Sequence, residues 1–456
     1  MSTNEGSGTA TLATLPNEAE AVIDGLLALH PRGHDLSLDR IANLLTKLSN
    51  PHLSLPPILH VAGTNGKGSV VAFTRAILEA SGRTVHAHTS PHLVRWHERY
   101  RIGRADGPGR LVEDDVLADT LRRVARANDG QAITVFELLT AAAFVLFAEH
   151  PADATVLEVG LGGRFDATNV VRDPAVSIVT SIALDHQQWL GNTVAEIAGE
   201  KAGIFKSGSP AVIGFQPHDE AREVLVSEAA RRGADARVYG QDFFAFEEHG
   251  RLVYQDGDGL MDLPLPGLLG RHQYANAAVA IAGLKAAGFG VDEKAIAQGL
   301  TSVSWPGRMQ RLGEGALRDS AVPGAEIWLD GGHNPSAARA VAETLAQLED
   351  RTERPLFIIA GMLNTKEPTP WFEAFRGLVR QVYTVPITSS EAGYDPAILA
   401  GHAIDAGLVA RPIGGIEEAL TRLSKGWRDE PPPRILIGGS LYVVGEALRL
   451  NGAWPD

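Results

Sequence analysis

A glycine-rich loop between a predicted strand and a predicted helix constrains the fold of this chain more than any other sequence feature. The apolar residues Ile58–Ala62 are predicted to form a strand, residues 63–69 a loop, and residues 70–80 a helix that ends before Gly82. In such a unit, glycines let backbone N–H groups converge on phosphate oxygens at the N-terminus of the helix. Lys67 would add a positive charge for the β- and γ-phosphates. The loop therefore predicts a nucleotide-phosphate site in an α/β domain.

The spacing of this loop differs from the common GxxxxGK[ST] pattern. Gly63 stands only three residues before Gly66, and Gly68 intervenes between Lys67 and Ser69. A flexible strand-to-helix turn without a ligand is the alternative interpretation. The strand–loop–helix context favours the phosphate site.

The rest of the chain repeats the alternation of short apolar segments with longer helical ones, which is typical of parallel α/β domains. Further strands are predicted at residues 84–88, 154–159, 176–182, 326–329, 356–360, 382–385 and 434–437. Thr193 and Glu196 form a capping box that begins a helix through Lys201, and Gly203 ends that helix.

A chain of 456 residues is too long for one ordinary core and predicts two α/β domains. Trp305-Pro306-Gly307 is a candidate hinge between them. We therefore predict a flexible tail at residues 1–16, a P-loop-type ATP-binding domain at residues 17–305 and a smaller, Rossmann-like C-terminal domain at residues 306–456.

Composition excludes several classes of protein. Asp plus Glu number 55 against 41 Lys plus Arg, and the resulting formal charge of -14 disfavours nucleic-acid binding. The chain has no Cys, which excludes disulfides, thiolate zinc sites and a cysteine nucleophile. The N-terminal residues lack the pattern of a signal peptide, and the longest apolar stretch, residues 138–148, is about half a membrane span. We therefore expect a cytoplasmic monomer with a buried helix at residues 138–148 and no membrane partner.

Ten segments, of which the phosphate loop is the first, carry a family resemblance that extends over roughly residues 35 to 450. In chain order they are Gly63-Thr64-Asn65-Gly66-Lys67-Gly68, Thr89-Ser90-Pro91-His92-Leu93, Glu158-Val159-Gly160-Leu161-Gly162-Gly163-Arg164, Asp166-Ala167-Thr168-Asn169, Leu184-Asp185-His186, Glu200-Lys201-Ala202-Gly203-Ile204-Phe205, Gly270-Arg271-His272-Gln273 with Asn276, Trp305-Pro306-Gly307-Arg308, Asp330-Gly331-Gly332-His333-Asn334-Pro335, and Gly439-Ser440-Leu441-Tyr442. Together they resemble the folylpolyglutamate synthase family, relatives of the Mur peptidoglycan ligases. The resemblance implies that the ATP-binding domain is Mur-ligase-like.

The resemblance implies Ser90, Glu158 and His186 as magnesium ligands, and a carbamylated Lys201 as a ligand of a second magnesium ion. From the residues alone, Glu158 is costly in an apolar strand unless it binds metal or pairs with a cation such as Arg164. Lys201 by itself is typical of a solvated lysine near the end of a helix. Carbamylation would require a neutral amine, which burial and nearby cations favour.

The resemblance also implies contacts for each substrate. The implied ATP contacts are Thr64, Asn65, Gly66, Lys67, Gly68, Asn276, Arg308 and Asp330. The segments that match the family's pterin site are Thr134, Val135, Phe136 and Glu137, and then Phe165, Asp166 and Ala167. His333 and Ser440 are implied contacts of phosphate or glutamate, and Lys67, Lys201 and His333 are the implied catalytic residues.

The implied activity is ATP-dependent ligation of L-glutamate to dihydropteroate, which gives dihydrofolate, and to folates, through an acyl-phosphate intermediate. ATP, two magnesium ions, reduced folates and glutamate are the implied small-molecule partners. Polyglutamylation of folates without dihydrofolate synthesis is the alternative within the family.

Three other functions compete with this prediction. A dinucleotide-dependent oxidoreductase is suggested by Gly160-Leu161-Gly162-Gly163, but Phe165 stands where the last glycine of GxGxxG is needed. A nucleotide-gated binding protein would hydrolyse ATP without ligating anything. A Mur-type ligase for cell-wall precursors is disfavoured by the segments that match the pterin site.

Overall fold

The computed structural model describes residues 18–29, 37–428 and 430–455, so the predicted tail at residues 1–16 lies outside the described residues. The strands are β1 (Ile58–Ala62), β2 (Val85–His88), β3 (Tyr100–Arg104), β4 (Gly107–Leu111), β5 (Ala154–Glu158), β6 (Val176–Val179), β7 (Pro210–Ile213), β8 (Asp235–Val238), β9 (Phe243–Glu248), β10 (Arg251–Asp256), β11 (Gly259–Pro264), β12 (Gln310–Arg311), β13 (Glu326–Asp330), β14 (Leu356–Ala360), β15 (Gln381–Thr384), β16 (Ala410–Pro412) and β17 (Arg434–Gly438). The α-helices are α1 (Glu18–Leu29), α2 (Asp39–Lys47), α3 (Lys67–Ala80), α4 (Asp114–Asn128), α5 (Val135–Glu149), α6 (Gln187–Leu190), α7 (Val194–Lys201), α8 (Asp219–Arg232), α9 (His272–Ala286), α10 (Glu293–Ser302), α11 (Ala316–Ser320), α12 (Pro335–Arg351), α13 (Pro368–Glu373), α14 (Pro396–Asp405), α15 (Ile416–Gly426) and α16 (Leu441–Leu450).

An eight-stranded sheet forms the first part of the chain, in the order β4-β3-β2-β5-β1-β6-β7-β8. Its strands are parallel from β2 to β8, and only β3 and β4 run antiparallel to their neighbours. Side chains alternate between the two faces of β1. Leu59 and Val61 pack with α3, α9 and α10, whereas Ile58 packs with the layer of α1, α2, α4 and α5. Helices therefore cover both faces, as the continuous burial of β1 requires.

A smaller antiparallel sheet, in the order β11-β10-β9, extends the same core. Phe243, Leu252 and Leu263 are buried in the cluster that also holds Ile77 of α3. The predicted buried helix at residues 138–148 lies within α5 and is buried from Leu138 to Phe147. In the described ranges of the chain, no helix is long and apolar enough to span a membrane.

A six-stranded sheet forms the second part, in the order β12-β13-β17-β14-β15-β16, and only β12 is antiparallel. Its two faces carry separate apolar clusters, one with α11, α15 and α16 and the other with α12, α13 and α14. The chain passes from the first part to the second between α10 and β12. The predicted domain boundary between residues 305 and 306 falls in this connection and stays a prediction.

All eight predicted strands are present, and the predicted α/β class is confirmed. Strand β6 ends at Val179 rather than residue 182, because Ser181 leaves the sheet and its carbonyl accepts hydrogen bonds from Thr64 and Asn65. Helix α3 begins at Lys67 rather than residue 70, because Gly66, with φ of 90°, starts the helix directly. Part of the predicted loop is therefore the first helical turn.

Close packing of α10 on α3 predicts a sensitive glycine. A Cβ atom at Gly299 would lie 2.5 Å from the Cα of Ile77, a backbone atom that cannot rotate away. We expect Gly299→Ala to destabilise the protein by about 1–3 kcal/mol through overpacking. Scanning calorimetry should show a lower melting temperature. Gly401→Ala in α14 is the matched control, since nothing lies within 4 Å of its added Cβ, and an unchanged melting temperature for Gly299→Ala would contradict the packing argument.

Candidate active site

The phosphate loop is held in shape by its own backbone and by the adjacent strand. The N–H groups of Thr64 and Asn65 donate to the Ser181 carbonyl at 2.9 and 3.1 Å. Lys67 Nζ folds back to the Gly63 carbonyl at 3.1 Å. The first N–H groups of α3 have no acceptor inside the helix, so they are available to an anion. The loop is therefore a preformed anion site with the ammonium group of Lys67 beside it.

Two glycines of the loop are required by close neighbours. A Cβ atom at Gly66, which has a positive φ of 90°, would lie 2.5 Å from Asn276 Oδ1. A Cβ atom at Gly68 would lie 2.6 Å from the indole Nε1 of Trp305. The loop thus contacts both α9 and the connection to the second part of the chain.

A cavity of about 580 Å³ opens over the loop, between the two parts of the chain. It brings together every residue predicted to contact ATP or metal, and also His333. These lining residues are Thr64, Asn65, Gly66, Lys67, Gly68, Ser90, Glu158, His186, Lys201, Asn276, Arg308, Asp330 and His333. Residues far apart in the sequence therefore meet in one cleft, as a nucleotide-dependent site requires.

Glu158 is a buried carboxylate at the end of β5. Its Oε1 lies 4.0 Å from Lys67 Nζ, and its Oε2 accepts a hydrogen bond from the Ser90 backbone N–H at 3.2 Å. Burial raises the pKa of Glu158, although the charge of Lys67 opposes that rise. The alternative ion pair with Arg164 is wrong, because Arg164 lies on the surface beside Glu200, with 3.6 Å between Nε and Oε1. Lys67, rather than Arg164, is therefore the cation that pairs with this carboxylate.

The side chains around Glu158 fit a magnesium ion. Ser90 and Glu158 provide oxygen donors, and His186 lines the same cavity. Within the described part of the chain, no group of three His, Asp or Glu side chains comes together to hold a metal on its own. Magnesium is usually held by one or two carboxylates together with water and substrate phosphates, so this sparse donor set suits it.

Lys201 is buried, with only 5% of its surface exposed. The solvated lysine expected from the residues alone is wrong, because the end of α7 packs under the site and Lys201 Nζ donates to the Gly63 carbonyl at 2.9 Å. Burial, and then the charge of Lys67, lower the pKa of Lys201 to about 7. A substantial fraction of this amine is neutral at physiological pH.

Asp185 joins the two parts of the chain at the edge of the cavity. Lys366 Nζ lies 2.5 Å from its Oδ1, and His333 Nε2 lies 3.3 Å from its Oδ2. Asn334, the N-cap of α12, donates to Asp185 Oδ2 at 3.3 Å and to Asn65 Oδ1 at 2.9 Å. Burial alone would raise the pKa of Asp185, but the hydrogen bond with His333 and the charges of His333 and Lys366 hold it well below its ordinary range.

Eight residues predicted to bind the substrates do not line this cavity in the described part of the chain. They are Thr134, Val135, Phe136, Glu137, Phe165, Asp166, Ala167 and Ser440. Several have structural tasks instead: Thr134 and Glu137 form the capping box of α5, and Ser440 caps α16. Phe136 still reaches the rim, since its ring would block a Cβ atom on Gly160, which lines the cavity.

Some lining residues were not singled out by sequence reasoning. Phe215 and Tyr239 form an apolar end of the cavity, with ring centroids 5.8 Å apart in an edge-to-face arrangement. Phe215 follows β7, and the carboxyl ends of parallel strands are where ligands bind, which is a signal that the sequence offered. Lys366 does not line the cavity but contacts Asp185 at its edge, and its sequence neighbours gave no signal of that contact.

The sequence and fold of this chain are similar to those of known proteins. Residues 61–284 match the family model of the Mur ligase middle domain. The chain is 34% identical to the folylpolyglutamate synthase of Lacticaseibacillus casei, over 89% of this chain and 92% of the relative. Escherichia coli FolC in complex with DHPP and ADP superposes with a TM-score of 0.84 and 30% identity, covering 96% of this chain and 98% of FolC. The bifunctional folylpolyglutamate synthase/dihydrofolate synthase of Yersinia pestis, complexed with AMPPNP and Mn ion, gives a TM-score of 0.81 and 30% identity over 95% and 99% of the two chains.

The fold and the cleft thus define an ATP-dependent ligase of the Mur ligase superfamily, which uses ATP and a divalent metal ion. Within that superfamily, the chain belongs to the family of folylpolyglutamate synthases and dihydrofolate synthases.

The shape of the loop predicts the effect of one added methyl group. We expect Gly66→Ala to weaken ADP binding at least tenfold, or about 1.4 kcal/mol, because its Cβ displaces Asn276 and closes the cradle. Isothermal titration calorimetry measures this. Gly82→Ala is the control: Gly82, at the other end of α3, has a similar positive φ of 82° and nothing within 4 Å of an added Cβ. Equal losses in both variants would show that backbone strain, not the cradle, is responsible.

Proposed function

We propose that this chain joins L-glutamate to dihydropteroate, giving dihydrofolate, and also to folates, extending their glutamate chains. The observation that carries this proposal is the cleft in which the phosphate loop, Glu158 and Lys201 of the first part face Arg308 and His333 of the second. Synthesis of both products is favoured over polyglutamylation alone, because the Yersinia pestis neighbour is described as bifunctional and the Escherichia coli neighbour holds DHPP.

In the first step of the proposed reaction, a carboxylate oxygen of the acceptor attacks the γ-phosphorus of ATP. The new O–P bond gives an acyl phosphate, and the bond to the departing ADP breaks. Lys67 and the N–H groups at the start of α3 stabilise the transferring phosphoryl charge, and Arg308 binds the phosphates as a planar donor. A magnesium ion, held by Ser90, Glu158 and His186, would screen the phosphate charge during this transfer.

In the second step, the amino group of glutamate attacks the acyl carbon. The tetrahedral adduct collapses to the amide, phosphate leaves with the C–O bonding electrons, and the amine loses a proton to solvent or to phosphate. We assign glutamate contacts to His333 and Ser440, and nucleotide contacts to Thr64, Asn65, Gly66, Gly68, Asn276 and Asp330. The first part of α5 (Thr134, Val135, Phe136 and Glu137) and the segment of Phe165, Asp166 and Ala167 are assigned to the pterin. We further propose that the chain acts as a cytoplasmic monomer.

ADP release by the purified protein tests this function. With magnesium-ATP and glutamate, we expect turnover with dihydropteroate and with tetrahydrofolate, because one cleft serves both acceptors. Reactions without glutamate are the control. ADP release at the same rate with and without glutamate would indicate a binding protein that hydrolyses the nucleotide. Turnover with tetrahydrofolate alone would leave only polyglutamylation, and turnover with neither acceptor would overturn the folate assignment.

We propose in addition that Lys201 is carbamylated in the active protein. Its buried amine, with a pKa lowered to about 7, is a good nucleophile towards carbon dioxide once it is neutral. The N–C bond to carbon dioxide forms as the amine loses a proton. The product is an anion, so it would relieve the repulsion between Lys201 and Lys67 and could serve as an oxygen ligand for a second metal ion.

The lowered pKa sets the expected pH dependence. Above about pH 7 the Lys201 amine is largely neutral and reacts with carbon dioxide, whereas below that pH it is protonated and does not. We therefore expect enzyme depleted of carbon dioxide to regain activity on bicarbonate addition at about pH 8 far more than at about pH 6. Lys201→Arg, which keeps the charge but cannot carbamylate, should stay inactive under both conditions. Full activity in depleted buffer at both pH values would contradict the modification.

A further inference from the structure

The contact between Asp185 and Lys366 is an ion pair that crosses the cleft. Asp185 follows β6 in the first part of the chain, and Lys366 follows β14 in the second. Their side chains are only 9% and 15% exposed, and 2.5 Å separates Lys366 Nζ from Asp185 Oδ1. An exposed ion pair contributes little to the arrangement of two elements, but a shielded pair of this kind is screened far less by salt.

Lys366 is held in place by its own part of the chain. Tyr394 donates from its hydroxyl to the Lys366 carbonyl at 3.1 Å, and its backbone N–H donates to the Met362 carbonyl at 2.9 Å. The Asn364 N–H donates to the Ala392 carbonyl at 2.8 Å. The loop of Lys366 is thus tied to a second loop, so the backbone from which this side chain extends is held by the second part of the chain.

Asp185 in turn connects Lys366 to the site. His333 and Asn334 bind its second oxygen, and Asn334 also binds Asn65 of the phosphate loop. Among the described residues of the second part, loss of the Lys366 contact would leave the shielded Asp185 carboxylate with two weaker partners, His333 and Asn334, each at 3.3 Å. The ion pair therefore supports the contacts of His333 and Asn334 with Asp185, which bring the second part of the chain over the phosphate loop.

We propose that Asp185 and Lys366 are positioning residues, whose ion pair sets the C-terminal part over the phosphate loop so that His333 and Arg308 face the nucleotide. The kinetic test of this inference rests on the proposed ligase function, whereas the positioning role itself does not. Neither residue takes part in bond making. Their removal changes the arrangement of the two parts, and through it the rate of phosphoryl transfer.

The first test is kinetic. Lys366→Met is expected to lower kcat at least tenfold with both acceptors at saturating substrates, and Asp185→Asn to do the same. Because the residues act as one unit, the double variant should be no slower than the slower single variant. Lys285→Met is the matched control, since Lys285 Nζ also lies 2.5 Å from a carboxylate, that of Asp256, away from the cleft. Additive losses, or a rise in the KM for glutamate with kcat unchanged, would overturn the proposal, the latter by making Lys366 a substrate contact.

The second test does not depend on activity. The chain has no native cysteine, so Leu260→Cys and Val409→Cys, both at exposed positions in different parts of the molecule, can carry two spin labels. We expect Lys366→Met to broaden or shift the measured distance distribution, and Lys285→Met to leave it unchanged. An identical distribution with and without Lys366 would overturn the positioning role. If the labelled protein responds but neither acceptor is turned over, the ligase assignment fails while the ion-pair role stands.

Discussion

The carbonyl oxygen of Gly63 accepts hydrogen bonds from two lysines, Lys67 at 3.1 Å and Lys201 at 2.9 Å, and the active cleft is organised around this convergence. Two ammonium groups so close to one acceptor repel each other unless one gives up its charge. Burial makes Lys201 the group that does so, since its pKa falls to about 7. Lys67 thus lies beside the phosphate site, and Lys201, at the end of α7 beneath it, is the lysine that burial makes easier to deprotonate.

The cleft also depends on contacts between parts of the chain that fold around separate cores. Trp305 packs on Gly68, and Asn334 bonds to Asn65, so the connection and the second sheet both contact the phosphate loop. Arg308, Asp330 and His333 reach the cavity only because of this assembly. Neither part therefore contains a complete site. The phosphate loop belongs to the first part, and the second part contacts it.

Local patterns in the sequence predicted the strands, the capping box of Thr193 and Glu196, and the phosphate loop, because these depend on neighbouring residues. The family resemblance predicted distant residues that line the cavity, including Glu158 and Asp330, but the segments that it implied for the pterin lie outside that lining. Contacts between residues far apart in the sequence could not be predicted from local patterns. The end of the helix that contains Lys201 is predicted to be solvated, but in the structure it packs against the phosphate loop. Lys366 has no distinctive sequence pattern, and its role follows only from its contact with Asp185 across the cleft. The pterin assignments at Phe136 and Phe165 still rest on resemblance.

Because both parts of the chain line the cavity, binding of a ligand there is coupled to the relative arrangement of the two parts. A nucleotide that touches both parts binds their closed arrangement more tightly than an open one, and by reciprocity the closed arrangement raises nucleotide affinity by the same factor. Glutamate contacts assigned to His333 and Ser440 belong to the C-terminal part, so their alignment with the acceptor depends on that closure. In the proposed reaction, ATP and glutamate would therefore each raise the affinity of the cleft for the other, without any separate regulatory site.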